Sequence, residues 1–224
     1  MEQKSACLCG HSATCEEVKE LMPAPLSHEL LVGIFVGGAS SRMGSPKGLL
    51  PAPAQSEAQE RPALNLVERL LGISEYKLGF STVLVGSRPE YEYLKRTTLL
   101  DKVPGCGPLG GLVALLEHAE QLQKSYAVAI ACDLPYLGGE LLRKLAFFEG
   151  GASVACAQSG SRYEPLFARY HVSCLPVLSE ALDQRRLSLQ PILSTLQAEV
   201  LSVTAVERQE LSDWDSPSDM LGST

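Results

Sequence analysis

A chain of 224 residues, 45% of them hydrophobic, can bury a full core as one α/β unit. Its formal charge of −7, from 26 acidic and 19 basic side chains, excludes the basic footprint of a nucleic-acid binder. No apolar run approaches the roughly 20 residues that cross a bilayer, and acidic, Cys and His residues stand where an export signal would be apolar, so the expected location is cytoplasmic, with no membrane partner.

The first segment, "SACLCGHSATCEEVKELMPAPLSHE", differs in character from the rest of the chain and ends in a Pro-Ala-Pro linker. Thr14 with Glu17 forms a capping-box pattern for a short helix. Cys7, Cys9, His11 and Cys15 are enough ligands for a metal, but they lack the paired spacing of a zinc finger. A reduced appendage is the preferred reading, and the odd total of seven cysteines also fits free thiols. The expected division is a Cys-rich extension and linker over 1–28 and one globular domain over 29–224.

The domain opens with an apolar strand over 29–36, followed by the small-residue loop "VGGASSRMGSPKGLL" and a polar, Pro-flanked insertion over 51–62. Next are a helix over 64–71, a strand over 81–86, a short helix opened by Pro89 and a glycine-rich "PGCGPLGG". A helix to about 123 leads to a strand over 126–132 and a helix over 139–149. "ASVACAQ" and "RYEPLFARY" are strands, with helices over 172–184 and 188–197, a strand near 199–205 and a final turn, "DWDSPSDM". Continuous apolar strands alternating with amphipathic helices predict a mainly parallel, Rossmann-like sheet in a three-layer α/β/α arrangement.

In such a sheet, ligands sit where loops leave the carboxyl ends of the strands. The loop after the first strand combines glycines, which let a ligand approach the backbone, with Arg42 and Lys47. It lacks both the G-x-G-x-x-G of dinucleotide loops and the G-K-[ST] ending of a Walker loop. The glycines alone would equally suit a plain turn; the two cations favour a phosphate cradle. Asp133 leaves the end of a buried strand, where a carboxylate can hold a hard cation or cap the following helix. Asp213 and Asp215, two apart, could add a second carboxylate or form a solvated turn. Cys106 and Cys132 border this region without a neighbouring His, as core or loop thiols do.

Five stretches, in order, resemble the nucleotidyltransferases of molybdenum cofactor biosynthesis. They are "GGASSRMGSPKGLL", "GPLGGL", "CDLPYL", "EPLFARY" and "DWDSPSDM", and the resemblance runs over about 30–221. It implies GTP and molybdenum-bearing molybdopterin as substrates, Mg2+ as cofactor, and molybdoenzymes or their chaperones as downstream partners. It further implies that the backbone of Phe35, Val36, Gly37 and Gly38 meets the base and that Arg42 and Lys47 hold phosphates. Ser87 stands where guanylyl relatives carry a nucleotide-binding Asn, and Asp101 matches a ribose or guanosine contact. Asp133 matches the metal ligand, with Asp215 as a second. Arg42, Lys47 and Asp133 are the catalytic candidates.

On the base, the sequence points two ways. "FVGG" sides with guanylyltransferases, whereas Pro46 before Lys47 is closer to the cytidylyl form. Three functions stay open at this point: guanylyl transfer, cytidylyl or other nucleotidyl transfer to molybdopterin or a sugar phosphate, and a non-catalytic nucleotide-binding chaperone. The presence of both Lys47 and Asp133 argues for catalysis, since a carrier needs no lysine for a departing pyrophosphate.

Overall fold

The apolar run that opens the domain is buried along its whole length and forms β1 (Leu30–Phe35). Leu30, Val32 and Ile34 enter one apolar cluster, and Leu31 and Phe35 enter another. A strand apolar on both faces needs cover on both. The computed structural model describes residues 26–37, 46–53, 64–86, 89–101 and 103–214.

The further strands are β2 (Ser81–Val85), β3 (Thr98–Leu99), β4 (Tyr126–Ala131), β5 (Val154–Ser159), β6 (Arg162–His171) and β7 (Glu199–Val200). They form one sheet in the order β3-β2-β1-β4-β6-β5-β7. β3, β2, β1 and β4 are parallel to one another, as are β5 and β7; β6 alone runs against its two neighbours. Its reversal comes from a two-residue loop after Ser159, in which Gly160 takes φ +59°. A positive φ at the first loop position matches the twist of a tight hairpin.

Helices α1 (Leu66–Leu71), α2 (Gly107–Gln121), α3 (Gly139–Ala146), α4 (Leu175–Asp183), α5 (Leu189–Thr195) and α6 (Ala205–Glu210) complete the described fold. Leucines of α1 and α3 enter the cluster with Leu30, while those of α2, α4 and α5 enter the one with Leu31. The expected three-layer α/β/α architecture is therefore present. α2 lies so close to the sheet that a Cβ on Gly33 would stand 2.6 Å from Leu115 Cδ2. Glycine at the centre of β1 admits that leucine.

Some boundaries differ from the sequence reading. The strand expected near 199–205 is only two residues long and gives way to α6, because Thr204 and Glu207 form a capping box. The helix opened by Pro89 is a 3-10 turn over Pro89–Leu94. α1, capped by Asn65 and Glu68, runs on as a π-helical turn, Gly72–Lys77.

Candidate active site

β1 and β4 are neighbours, yet the chain leaves them toward opposite edges of the sheet, which makes their carboxyl ends a topological switch point. The two ends are tied together by the Cys132 N–H, which donates to the Phe35 carbonyl at 3.2 Å. On the other side of β1, the N–H groups of Val36 and Gly37 both donate to the Val85 carbonyl, at 2.9 and 3.3 Å. These donors are therefore engaged within the protein, whereas no described donor reaches the carbonyls of Val36 and Gly37. The segment offers a ligand acceptors rather than donors. Gly86, the last residue of the strand expected over 81–86, makes this close approach possible: it takes φ +105°, and a Cβ there would lie 2.6 Å from Gly37 N.

Lys47 opens a 3-10 turn, Lys47–Leu49, after Pro46 has set an extended entry. Gly48 is buried in this turn, and a Cβ on it would stand 2.5 Å from Val67 Cγ2 and 2.6 Å from the Tyr91 hydroxyl. The turn is clamped to the start of α1 by the Leu66 N–H to Leu50 carbonyl bond at 3.0 Å and the Ala52 N–H to Leu64 carbonyl bond at 2.8 Å. Lys47 thereby projects across the switch point, and its Nζ donates to Asp133 Oδ2 at 2.9 Å. The two side chains are 19% and 21% exposed. Among the described residues no donor reaches Asp133 Oδ1, so half of the carboxylate stays open.

Asp133 is not a helix cap. α3 begins at Gly139 with Gly138 as its N-cap, and the Gly138 N–H is taken by Glu210 Oε2 at 2.6 Å. Cys132, just before, is buried among apolar groups beside the Asp133 carboxylate, and its thiol is pushed up to about 12. It is a packing thiol, as its lack of a His neighbour implied.

Asp101 follows β3 and lies against the first turns of α2. A Cβ on Gly111 would stand 2.9 Å from Phe35 Cε1 and 3.3 Å from Asp101 Oδ1, so the two side chains meet over this glycine. Burial raises the Asp101 carboxyl above its ordinary range.

Beside Asp133, a pocket of about 340 Å³ opens between the ends of β4 and β5, the start of β6 and the segment after α6. Its polar lining includes Gln158, Ser159, Glu164, Arg208 and Asp213. Burial raises the Glu164 carboxyl, and the charge of Asp213 adds to the rise while Arg162 opposes it. The chain then enters the interior at Trp214, whose N–H donates to the Asp133 carbonyl at 3.2 Å.

Against known proteins, the family model described as "MobA-like NTP transferase domain" matches residues 32–200. The chain belongs to the MobA-like NTP transferase family. It is a nucleotidyltransferase, and the resemblance carried by its five motifs holds. A protein of Xanthomonas euvesicatoria named "Molybdenum cofactor guanylyltransferase" is 32% identical over 82% of this chain and 88% of its own. One of Flavobacterium johnsoniae, named "Probable molybdenum cofactor guanylyltransferase", is 28% identical over 84% of this chain and 92% of its own. The fold is shared with the crystal structure of molybdopterin-guanine dinucleotide biosynthesis protein A from Archaeoglobus fulgidus, with a TM-score of 0.66 at 23% identity over 86% of this chain and 95% of that one.

In this MobA-like domain, Phe35, Val36, Gly37, Lys47, Asp101 and Asp133 all lie at the carboxyl edge of the sheet, and Lys47 and Asp133 touch. Gly38, Arg42, Ser87 and Asp215 lie outside the described residues, as does the Cys-rich stretch of the extension. Asp213 stands at the rim of the pocket. "EPLFARY" divides by role: Glu164, Leu166 and Phe167 reach the pocket, while Arg169 is buried and holds the end of α3 through the Phe148 carbonyl at 2.7 Å. Sequence reasoning missed Gly86, Glu164, Arg208 and Trp214. The first needs a backbone torsion to be recognised, and the others depend on where β6 and α6 dock. Among the described residues, no helix is long and apolar enough to cross a membrane.

Proposed function

We propose that the chain transfers GMP from GTP to the terminal phosphate of molybdenum-bearing molybdopterin, forming molybdopterin-guanine dinucleotide and pyrophosphate. The observation that carries this reading is the Lys47–Asp133 pair at the β1/β4 switch point, beside the open carbonyls of Val36 and Gly37. Guanine presents N–H donors on its pairing edge, which open backbone carbonyls would accept. The names of the relatives from Xanthomonas and Flavobacterium support the same choice.

In the reaction, an oxygen of the acceptor's terminal phosphate forms a new bond to the α-phosphorus of GTP. The bond from that phosphorus to the α,β-bridging oxygen breaks, and its electron pair leaves with pyrophosphate. Both reactants are anions, so the enzyme's task is alignment and charge neutralisation. Lys47, paired with Asp133 before substrate arrives, exchanges a carboxylate for phosphate oxygens, and Arg42 adds a second charge in the same loop. Asp101 accepts from the ribose or the base. The pocket beside Asp133 receives the acceptor, with Arg208 as a cation for its phosphate and Gln158 and Ser159 as hydrogen-bonding groups.

The donor set fits a Mg2+ ion. Asp133 leaves one carboxylate oxygen open, and magnesium uses one or two carboxylates together with phosphate oxygens and water. Asp133 would hold it, with Asp215 as a second ligand; among the described residues no three His, Cys, Asp or Glu side chains form a metal cluster of their own. When bound, the ion would offset charge on the phosphate oxygens. Pro46 before Lys47 favours a cytidylyl reading, and Ser87 departs from the guanylyl pattern. Calorimetric titration decides between them: tighter binding of GTP than CTP is expected, and a preference for CTP would overturn guanine recognition.

A further inference from the structure

We infer that Trp214 is a positioning residue for Asp133, fastening the turn that carries this carboxylate through its main chain and through Tyr136. The inference rests on the reading of Asp133 as a group at the reacting phosphates.

Between the end of β4 and the start of α3, the chain over 132–138 has no ladder of its own. Its main-chain bonds are few. The Cys132 N–H reaches Phe35, and the Leu137 N–H reaches the Leu134 carbonyl at 3.4 Å. The Gly138 carbonyl accepts the first helical bond of α3 from the Leu142 N–H at 3.2 Å, and two more bonds come from the segment after β7: Glu210 Oε2 accepts the Gly138 N–H, and the Trp214 N–H donates to the Asp133 carbonyl. Before it arrives, that segment is held at Leu201, which is buried in the core, and by Val203 and Leu211, which pack against it while partly exposed. α6 has no buried residue and is held to α3 by Lys144, whose Nζ donates to both Glu207 carboxylate oxygens at 2.9 Å. Arg208, Ser212 and Asp213 line the pocket and are exposed, while Leu211 lines it partly buried and packs against the core. Trp214 is the one buried residue of the described stretch after α6: it is 5% exposed, and its ring stands edge-on to Tyr136, with centroids 6.2 Å apart at 87°. Tyr136 lies on the same turn as Asp133, so ring and main chain grip one short loop at two points.

Among the described residues the buried indole Nε1–H has no hydrogen-bond partner, so the residue acts through the surface of its ring and through its backbone. A phenylalanine should therefore serve. An alanine should free the turn while leaving Lys47 and the base-facing carbonyls in place. Because a displacement of about 1 Å at a reacting centre can cost on the order of 10²-fold, the loss should fall on turnover.

The test is a double-mutant cycle of Trp214→Ala and Asp133→Asn, run with whichever nucleoside triphosphate the wild-type chain turns over, below the melting temperature of each variant. The expected result is a kcat about 10- to 100-fold lower for Trp214→Ala with nucleotide KM within about twofold, recovery to within about threefold in Trp214→Phe, and no further loss when Trp214→Ala is added to Asp133→Asn. If the alanine variant does not fold, Trp214→Leu takes its place in the cycle. Wild-type kcat in the folded variant, losses that multiply, or failure of phenylalanine to restore turnover would each overturn the role. Absence of turnover with GTP in the wild type would instead overturn the guanylyl reading.

Discussion

Lys47 Nζ and Asp133 Oδ2 are 2.9 Å apart across 86 positions of sequence, one on a turn clamped to α1 and the other on the loop leaving β4. A pair with this much solvent contact contributes on the order of 1 kcal/mol or less to folding. Its placement at the switch point matters more than its stability. Lys47→Ala is therefore expected to lower kcat by about 10²-fold or more while changing guanosine affinity little, because charge that moves toward the leaving pyrophosphate is met in the transition state. Steady-state kinetics at saturating GTP check this. Near-normal turnover would mean that the loop is no phosphate cradle.

Asp133→Asn keeps the size of the side chain and removes its charge. Since the cap of α3 is Gly138, helix stability does not depend on Asp133. The melting temperature should stay within a degree or two, as a partly exposed pair implies, while metal-dependent turnover falls by about 10²-fold or more. A variant with full activity would remove Asp133 from the chemistry.

The strands and the layer order were legible because buried parallel strands and amphipathic helices leave different apolar periods in sequence. β1 is apolar at every position, and α2 keeps Leu109, Leu112 and Leu116 on its sheet face. The two-residue strand β3 was not legible, since a run that short carries no period, and β7, expected near 199–205, was read too long. Lys47 and Asp133 stood out as charges at strand ends, and their contact comes from the topology. Trp214 did not stand out: a lone tryptophan between two aspartates in a terminal turn looks solvated until α6 docks and turns it inward. The engagement of the Val36 and Gly37 N–H groups by Val85 was equally invisible, because it depends on the close approach of Gly37 to Gly86 just past the paired ends of β1 and β2.

Asp101 gives a pH-dependent test. Burial raises its carboxyl above the ordinary range, so the folded state favours the protonated form. Its contribution to stability is fully present below the ordinary carboxyl pKa, near 3.9, and is lost as pH rises through the raised value. Asp101→Asn should therefore melt at a higher temperature than the wild type at pH 7, with the difference vanishing in acid. The same variant should bind GTP about tenfold more weakly, as expected for a lost hydrogen bond to a charged acceptor. Thermal melts across pH and a GTP titration check both halves; a less stable variant at pH 7 would contradict the first, and unchanged affinity the second.

The most direct measurement is product analysis by mass spectrometry after incubating the chain with molybdenum-bearing molybdopterin, Mg2+ and each of the four nucleoside triphosphates in turn. The expected result is a molybdopterin-guanine dinucleotide with release of pyrophosphate, formed from GTP in preference to the other three. A cytosine dinucleotide as the main product, or no dinucleotide from any triphosphate, would contradict guanylyl transfer.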